Sequence, residues 1–316
     1  MRRHILQQYK RKCHAPKQSQ YKCYTTAIMR HVPSTITQAL SMTSPKEPIE
    51  LSRAEHQHET YATLLEHIIP KTVQIPADDR YPDCVFVEDT AVVIDGHAVI
   101  CRIGAESRRG EVGEMKQALL DLGISVSDMR DDNDVQHATC DGGDVLYPVS
   151  YPAANASTSA STAASASGKR GGKHLFVGIS SRTNHAGVNF LQKAFPHVEV
   201  VPVELRESEA LHLKSIVTHI DEKTLLIPSG EEWDYLCSVM AIEERGYEVV
   251  RLPDIKACNV VSMNGNVLAQ PNICQESKSI LQQEVEEKRG MNMVYVDASE
   301  FAKCDGALTC KSILIP

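Results

Sequence analysis

The sequence predicts an α/β protein: a five-bladed α/β propeller closed by pairing of the C-terminal strand with the N-terminal blade. Two short apolar runs joined by a turn, then a helix-like segment, recur roughly every 45 to 60 residues once one insertion is discounted, and such self-similarity marks a propeller, solenoid or array. Four of these units are internal to the chain. The chain then ends in "LTCKSILIP", a β-branched strand with no neighbour left in its own unit. Paired with the early strand "TTAIMRHVP" and the helix predicted over 52–68, it completes a fifth unit and removes the exposed edges.

In chain order, the first helix is read from "SRAEHQHETYATLLEHI", with Leu64, Leu65, Ile68 and Ile69 toward its apolar end. "VFVEDTAVVIDGHAVICR" is a hairpin about Asp95-Gly96, because Asp-Gly supplies the positive φ angles of a two-residue hairpin turn. "GGDVLYP" and "HLFVGIS" are the arms of a second hairpin. Between them, residues 151–173 are rich in Ala, Ser, Thr and Gly and bury too little apolar surface to offset their ordering entropy, so a flexible surface insertion is expected. "KSIVTHIDEKTLLIPS" is a third hairpin with a four-residue turn, and "ACNVVSMNGNVLAQ" a fourth about Asn264-Gly265. Helices are predicted after the four hairpins, over 109–122, 184–195, 231–245 and 275–289.

Composition narrows the function. A net charge of −8 argues against nucleic acid as a partner and favours cationic ligands. The ten cysteines contain no C-x-x-C pair, so no zinc or thioredoxin-type motif is signalled, and they read as reduced thiols of a cytoplasmic protein. No stretch reaches the length that spans a bilayer, so no membrane partner is expected. Residues 1–46 hold no Asp or Glu but nine Lys and Arg. Mitochondrial targeting is one reading; a basic N-terminal extension over 1–20, disordered in the cytosol, is preferred because no amphipathic helix emerges. Residues 21–316 are then a single catalytic α/β-propeller domain, and the oligomeric state, monomer or homodimer, is left open.

Candidate chemistry gathers where the units begin. Asp83, Glu88 and Asp89 precede one hairpin, Asp141 and Asp144 the next, His212 the third, and Asp305 and Cys310 the closing strand. Taken singly each has a plain alternative: acids before a strand are usually solvated, and a lone free cysteine usually packs in a core. A cysteine, a histidine and several carboxylates at corresponding unit starts make a different case.

The motifs "FVEDTAVV", "SRRGEV", "DGGDVLY", "SSRTN", "LHLKS" and "DGALTC", in this order from about Tyr24 to the end, resemble dimethylarginine dimethylaminohydrolase, of the guanidino-group-modifying superfamily with its five-bladed propeller (pentein) fold. The resemblance implies that Cys310 is the nucleophile, His212 the general acid and base, and Asp141 the group orienting His212. It further implies that Asp83, Glu88 and Asp89 face a substrate guanidinium, with Asp305 nearby and the Cys304 backbone on the same wall. Arg108 and Arg182 would take an amino-acid carboxylate, and Leu40 would be a lid residue. The implied substrate is a small molecule, a methylated arginine, and the implied cofactor and metal complement is none. Where the family has two adjacent cysteines, this chain has Cys310-Lys311. An arginine deiminase on the same scaffold is the nearest rival, but its second carboxylate, two residues after the histidine, is Lys214 here. A catalytically silent binding module is a third reading, since fold alone does not dictate function. A papain-like protease fits poorly, because its cysteine opens a helix early in the chain.

Overall fold

The computed structural model describes residues 24–131, 137–148, 174–206 and 210–316. The expectations for the basic extension over 1–20 and for the insertion over 151–173 lie outside the described residues. The first unit consists of β1 (Thr26–Arg30), α1 (Leu51–Ile68) and β2 (Lys71–Ile75). The second has β3 (Ala91–Ile94), β4 (His97–Ile100), α2 (Val112–Asp121) and β5 (Ser125–Asp128). The third has β6 (Val145–Leu146), β7 (His174–Ile179), α3 (His185–Ala194) and β8 (Glu199–Glu204). The fourth has β9 (Thr218–His219), β10 (Thr224–Pro228), α4 (Asp234–Val239) and β11 (Glu248–Leu252). The fifth has β12 (Val261–Met263), β13 (Asn266–Ala269), α5 (Gln275–Gln282) and β14 (Asn292–Tyr295), and β15 (Ile313–Ile315) follows.

Among the described residues the strands form five separate, open, three-stranded sheets. In each, an antiparallel pair is extended by a parallel third strand that follows the helix. The turns are those the sequence asks for. Asp95 (φ 48°) and Gly96 (φ 81°) join β3 to β4, and Asn264 (φ 45°) and Gly265 (φ 76°) join β12 to β13. The first unit draws its antiparallel partner from the far end of the chain: β15 pairs with β1, Thr26 opposite Ile315 and Ile28 opposite Ile313.

The hairpin-plus-helix reading is incomplete in one respect. It omits the parallel strands β2, β5, β8, β11 and β14. These are short outer strands of mixed composition such as "KTVQI" and "EVVRL", half-buried for most of their length, so neither alternation nor a continuous apolar run announces them. Two helices are also shorter than predicted: α4 occupies only six residues of 231–245, and α5 passes at Gln283 into a π-helical turn.

The apolar core is divided between neighbouring units. Ile28, Ile75, Ala98, Ile100 and Met115 pack the first unit on the second. Ile94, Val99, Leu175 and Leu191 join the second to the third, and Phe176, Leu225 and Leu236 the third to the fourth. Leu226, Val267 and Leu281 join the fourth to the fifth. Met29, Tyr61, Leu65, Met263 and Leu268 then pack the fifth unit back on the first. No helix among the described residues is long and apolar enough to cross a membrane.

Candidate active site

Each unit is entered through a 3-10 turn: Val87–Thr90, Gly142–Asp144, Leu213–Ser215, Ile255–Cys258 and, before β15, Thr309–Lys311. These turns and their capping residues carry Glu88 and Asp89, Asp141, His212 and Cys310. The repeat therefore delivers chemically different side chains to equivalent places, and they meet. Leu40, Asp83, Asp89, Arg108, Arg182, His212, Cys304, Asp305 and Cys310 line one pocket, together with Phe86, Leu211 and Gly306.

His212 is buried, and its Nε2–H donates to Asp141 Oδ2 at 3.0 Å, with Asp89 Oδ1 at 4.0 Å. Asp141 is itself fixed by the Gly104 N–H on its Oδ1 at 2.8 Å. Burial works to lower the imidazole's pKa, but Asp89 and the hydrogen bond to Asp141 outweigh it and hold His212 up at about 9. Burial likewise works to raise Asp89, and His212 and Arg108 keep it below the usual carboxylate range. Cys310 accepts the Ala307 N–H at 3.4 Å, and burial, then Glu88 and Asp89, push its thiol up to about 12. A positive charge brought into this pocket acts against that shift, because it favours the thiolate.

Asp83 and Asp305 hold the segment that covers the pocket. Asp83 accepts the N–H of Leu40 at 3.1 Å, and Asp305, in the left-handed region at φ 58°, accepts the N–H of Met42. Leu40 lines the pocket and stays 39% exposed. Burial raises the pKa of Asp83, against the pull of Arg108.

Two expected residues sit differently. Glu88 is absent from the pocket lining: its carboxylate takes Lys214 Nζ at 2.6 Å and the Thr309 hydroxyl at 3.0 Å. Arg108 reaches the pocket, but Glu111 accepts from its Nε and Nη2, each at 3.0 Å, and Asp89 from its Nη1 at 2.7 Å. Arg182, by contrast, is half-buried with no hydrogen bond or ion pair to its side chain among the described residues. Sequence reasoning missed Asn259, whose Oδ1 accepts the N–H groups of Leu308 and Thr309 and whose Nδ2 donates to Thr309 Oγ1. It precedes the first strand of the fifth unit, the same place that gives Asp141 and His212, and aligning the repeats would have found it. Glu111 and Lys214 lay inside the quoted motifs, but nothing in those motifs assigns them a partner.

Asp89, Asp141 and His212 bring one ligand atom each within 4.8 Å of one another, close enough for a metal ion. Their carboxylate oxygens already accept from Arg108, Gly104, Gly143 and His212, so an ion would have to displace those donors.

The same fold occurs in proteins whose structures are solved. The DDAH of Pseudomonas aeruginosa, a cysteine-to-serine mutant complexed with citrulline, aligns with a TM-score of 0.74 at 23% identity, over 93% of this chain and all of that one. The N-terminal domain of the cyanobacterial arginine dihydrolase ArgZ, bound to product, aligns at 0.71 and 18%, over 92% of this chain and 97% of that one. A five-sheet α/β enzyme with cysteine, histidine and carboxylates in one pocket is the class to which this chain belongs. None of the protein-family models matches. The N(G),N(G)-dimethylarginine dimethylaminohydrolase of Streptomyces coelicolor is 30% identical over 289 residues, 91% of this chain and 95% of that protein. The chain belongs to the dimethylarginine dimethylaminohydrolase family.

Proposed function

We propose that the chain hydrolyses Nω,Nω-dimethyl-L-arginine and Nω-monomethyl-L-arginine to L-citrulline and the corresponding methylamine, with Cys310 as nucleophile. The observation that carries this reading is the meeting of Cys310, the His212–Asp141 pair and the carboxylates of Asp83 and Asp89 in one buried pocket. A guanidinium is planar and permanently charged, so carboxylates at its edge bind it through charge-assisted hydrogen bonds. Its carbon is a poor electrophile, which calls for a strong nucleophile such as a thiolate. Arg182, with its donors unused, takes the substrate carboxylate, and Arg108 holds Asp89 in place beside it.

In the empty site His212 is positively charged near neutral pH and Cys310 is a thiol. The bound guanidinium lowers the cost of ionising Cys310. The thiolate adds to the guanidinium carbon, His212 gives its proton to the departing dimethylamine, and an S-linked thiouronium remains. The neutral His212 then takes a proton from water as the water adds to that carbon. Collapse expels the thiolate while the hydroxyl proton passes to solvent and the released amine, and leaves citrulline. We read the five sheets as the blades of a closed propeller formed by residues 21–316. Two features support the closure: β15 pairs with β1, and the apolar clusters run from unit to unit and back to the first. A reducing compartment such as the cytoplasm suits a thiol nucleophile.

Hydrolysis of arginine itself is the second reading, favoured by the likeness to ArgZ. Against it stands Lys214, which fills with an ion pair to Glu88 the place where a second carboxylate is expected. The test incubates purified protein with dimethylarginine, methylarginine and arginine in parallel and assays citrulline with the released amine or ammonia. The methylated substrates should be turned over and arginine should not. Cys310→Ser should abolish turnover yet still bind dimethylarginine. His212→Gly forms the adduct slowly, but any adduct on Cys310 should persist and be visible by mass spectrometry, because no imidazole activates the water. Near wild-type turnover by Cys310→Ser would sink the assignment.

A further inference from the structure

Asp144 is completely buried and has no part in the chemistry described above. It closes the turn Gly142–Asp144 that leads into β6. Its Oδ1 accepts the N–H of Leu213, the residue after His212, at 2.9 Å. Its Oδ2 accepts the hydroxyls of Ser180 at 2.7 Å and Thr183 at 2.6 Å, which stand on either side of Arg182 in the loop between β7 and α3. The two hydroxyls pass the hold onward. Ser180 Oγ accepts the N–H of Arg182 at 3.0 Å and that of Thr183 at 3.2 Å. Thr183 Oγ1 accepts the N–H of Asp141 at 3.0 Å. β7 leaves room for the carboxylate, since a Cβ on Gly178 would lie 2.7 Å from Asp144 Oδ1. A buried carboxylate is costly, and burial pushes this one up to about 6 against the pull of His212, the two hydroxyls and the Leu213 N–H. The hydrogen bonds that offset the cost all go to residues beside His212 or around Arg182.

We propose that Asp144 is a positioning residue for the reaction: one carboxylate fixes the loop of Arg182 and the turn of His212 at a set spacing. The proposal rests on the roles given above to Arg182, which takes the substrate carboxylate, and His212, which moves the protons. Asp144 touches no reacting atom and acts through two arms. One arm runs through Ser180 to the backbone of Arg182. The other runs directly to Leu213, and through Thr183 to Asp141, the partner of His212. Dimethylarginine is a long, flexible substrate held at its two ends, so an error in the spacing falls on the reacting carbon. A displacement of about 1 Å at that carbon can cost on the order of a hundredfold in rate.

The test cuts the arms one at a time. Ser180→Ala frees the backbone of Arg182 and should raise KM for dimethylarginine by about tenfold, with kcat changed less. Thr183→Val frees Asp141 and should lower kcat by about tenfold, with KM changed less. Asp144→Asn has the same shape but cannot accept at both ends, and should show both losses. A carboxylate that served stability alone would give no such split. Amide hydrogen exchange reads the same arms without substrate: segments 180–184 and 211–216 should both exchange faster in Asp144→Asn, only the first in Ser180→Ala, and α1 in neither. If wild type turns over none of the methylated arginines, the hydrolase reading falls, and exchange alone decides whether Asp144 joins the two segments. Parallel changes of kcat and KM in Ser180→Ala and Thr183→Val overturn the proposal, as does exchange in Asp144→Asn that rises evenly along the chain or nowhere. Failure of all three variants to fold also overturns it, because the carboxylate would then serve the fold itself.

Discussion

His212 shows how much a single residue's surroundings decide. Its imidazole is held above the ordinary 6.5, at about 9, by Asp89 and Asp141 against the opposing effect of burial. A folded-state pKa raised in this way contributes stability fully present below the unfolded value and lost as pH rises through the folded one. The wild-type melting temperature should therefore fall more than that of His212→Gln between about pH 6.5 and 9, measured by thermal denaturation at a series of pH values. Parallel pH profiles for the two proteins would show that the imidazolium is not stabilised. Gly143 tests the same site sterically. A Cβ there would lie 2.7 Å from His212 Nδ1 and 2.8 Å from Asp89 Oδ1, both inside van der Waals contact. Gly143→Ala should therefore displace the imidazole and reduce kcat by at least tenfold while the fold survives. Unchanged kcat with dimethylarginine would refute this placement of the ring.

At the scale of elements, the short turns that open the units set the geometry of the site. The Thr309–Lys311 turn makes only long internal hydrogen bonds, 3.5 Å from Lys311 N–H to Leu308 and from Ser312 N–H to Thr309. Asn259 supplies the firmer hold, at 3.0 Å to the Leu308 N–H. Asn259→Ala should leave two N–H groups without their acceptor and cost about 1–3 kcal/mol of stability. It should also lower kcat more than it raises KM, because the turn carries Cys310, the proposed nucleophile, while Arg182, proposed to take the substrate carboxylate, lies elsewhere. Denaturant unfolding and steady-state kinetics together read both effects. A loss confined to stability would mean that the turn holds Cys310 without help from Asn259.

For the molecule as a whole, the junction of β15 with β1 matters most. Ile313 and Ile315 are buried against Ile28, Ile75, Val87 and Ala91. Burying one such side chain is worth about 1.5–3 kcal/mol, a large share of a total stability of about 5–15 kcal/mol. Removing residues 309–316 also strips β1 of a partner and leaves an unpaired edge. The truncated chain should lose its cooperative melt as well as its activity. A melt near the full-length temperature would contradict the closed ring.

The sequence by itself determined the number and order of the units, the hairpin turns and most of the pocket. Asp95-Gly96 and Asn264-Gly265 were legible because a turn that demands positive φ is a local requirement met by local residue choice. His212 and Asp141 were legible because the repeat puts each at the cap of its unit's opening turn, and Cys310 because it falls inside the corresponding turn of the closing unit. The outer parallel strands were not, since their pairing depends on a neighbour across a helix and leaves little pattern in the strand itself. Only the tertiary structure decided that Glu88 turns to Lys214, that Arg108 is shared by Glu111 and Asp89, and that the amine of Lys311 is sealed beneath Tyr61 and Phe301. Which charge faces which is settled by the distances between units brought together in space, and electrostatic interaction follows distance and burial rather than position along the chain.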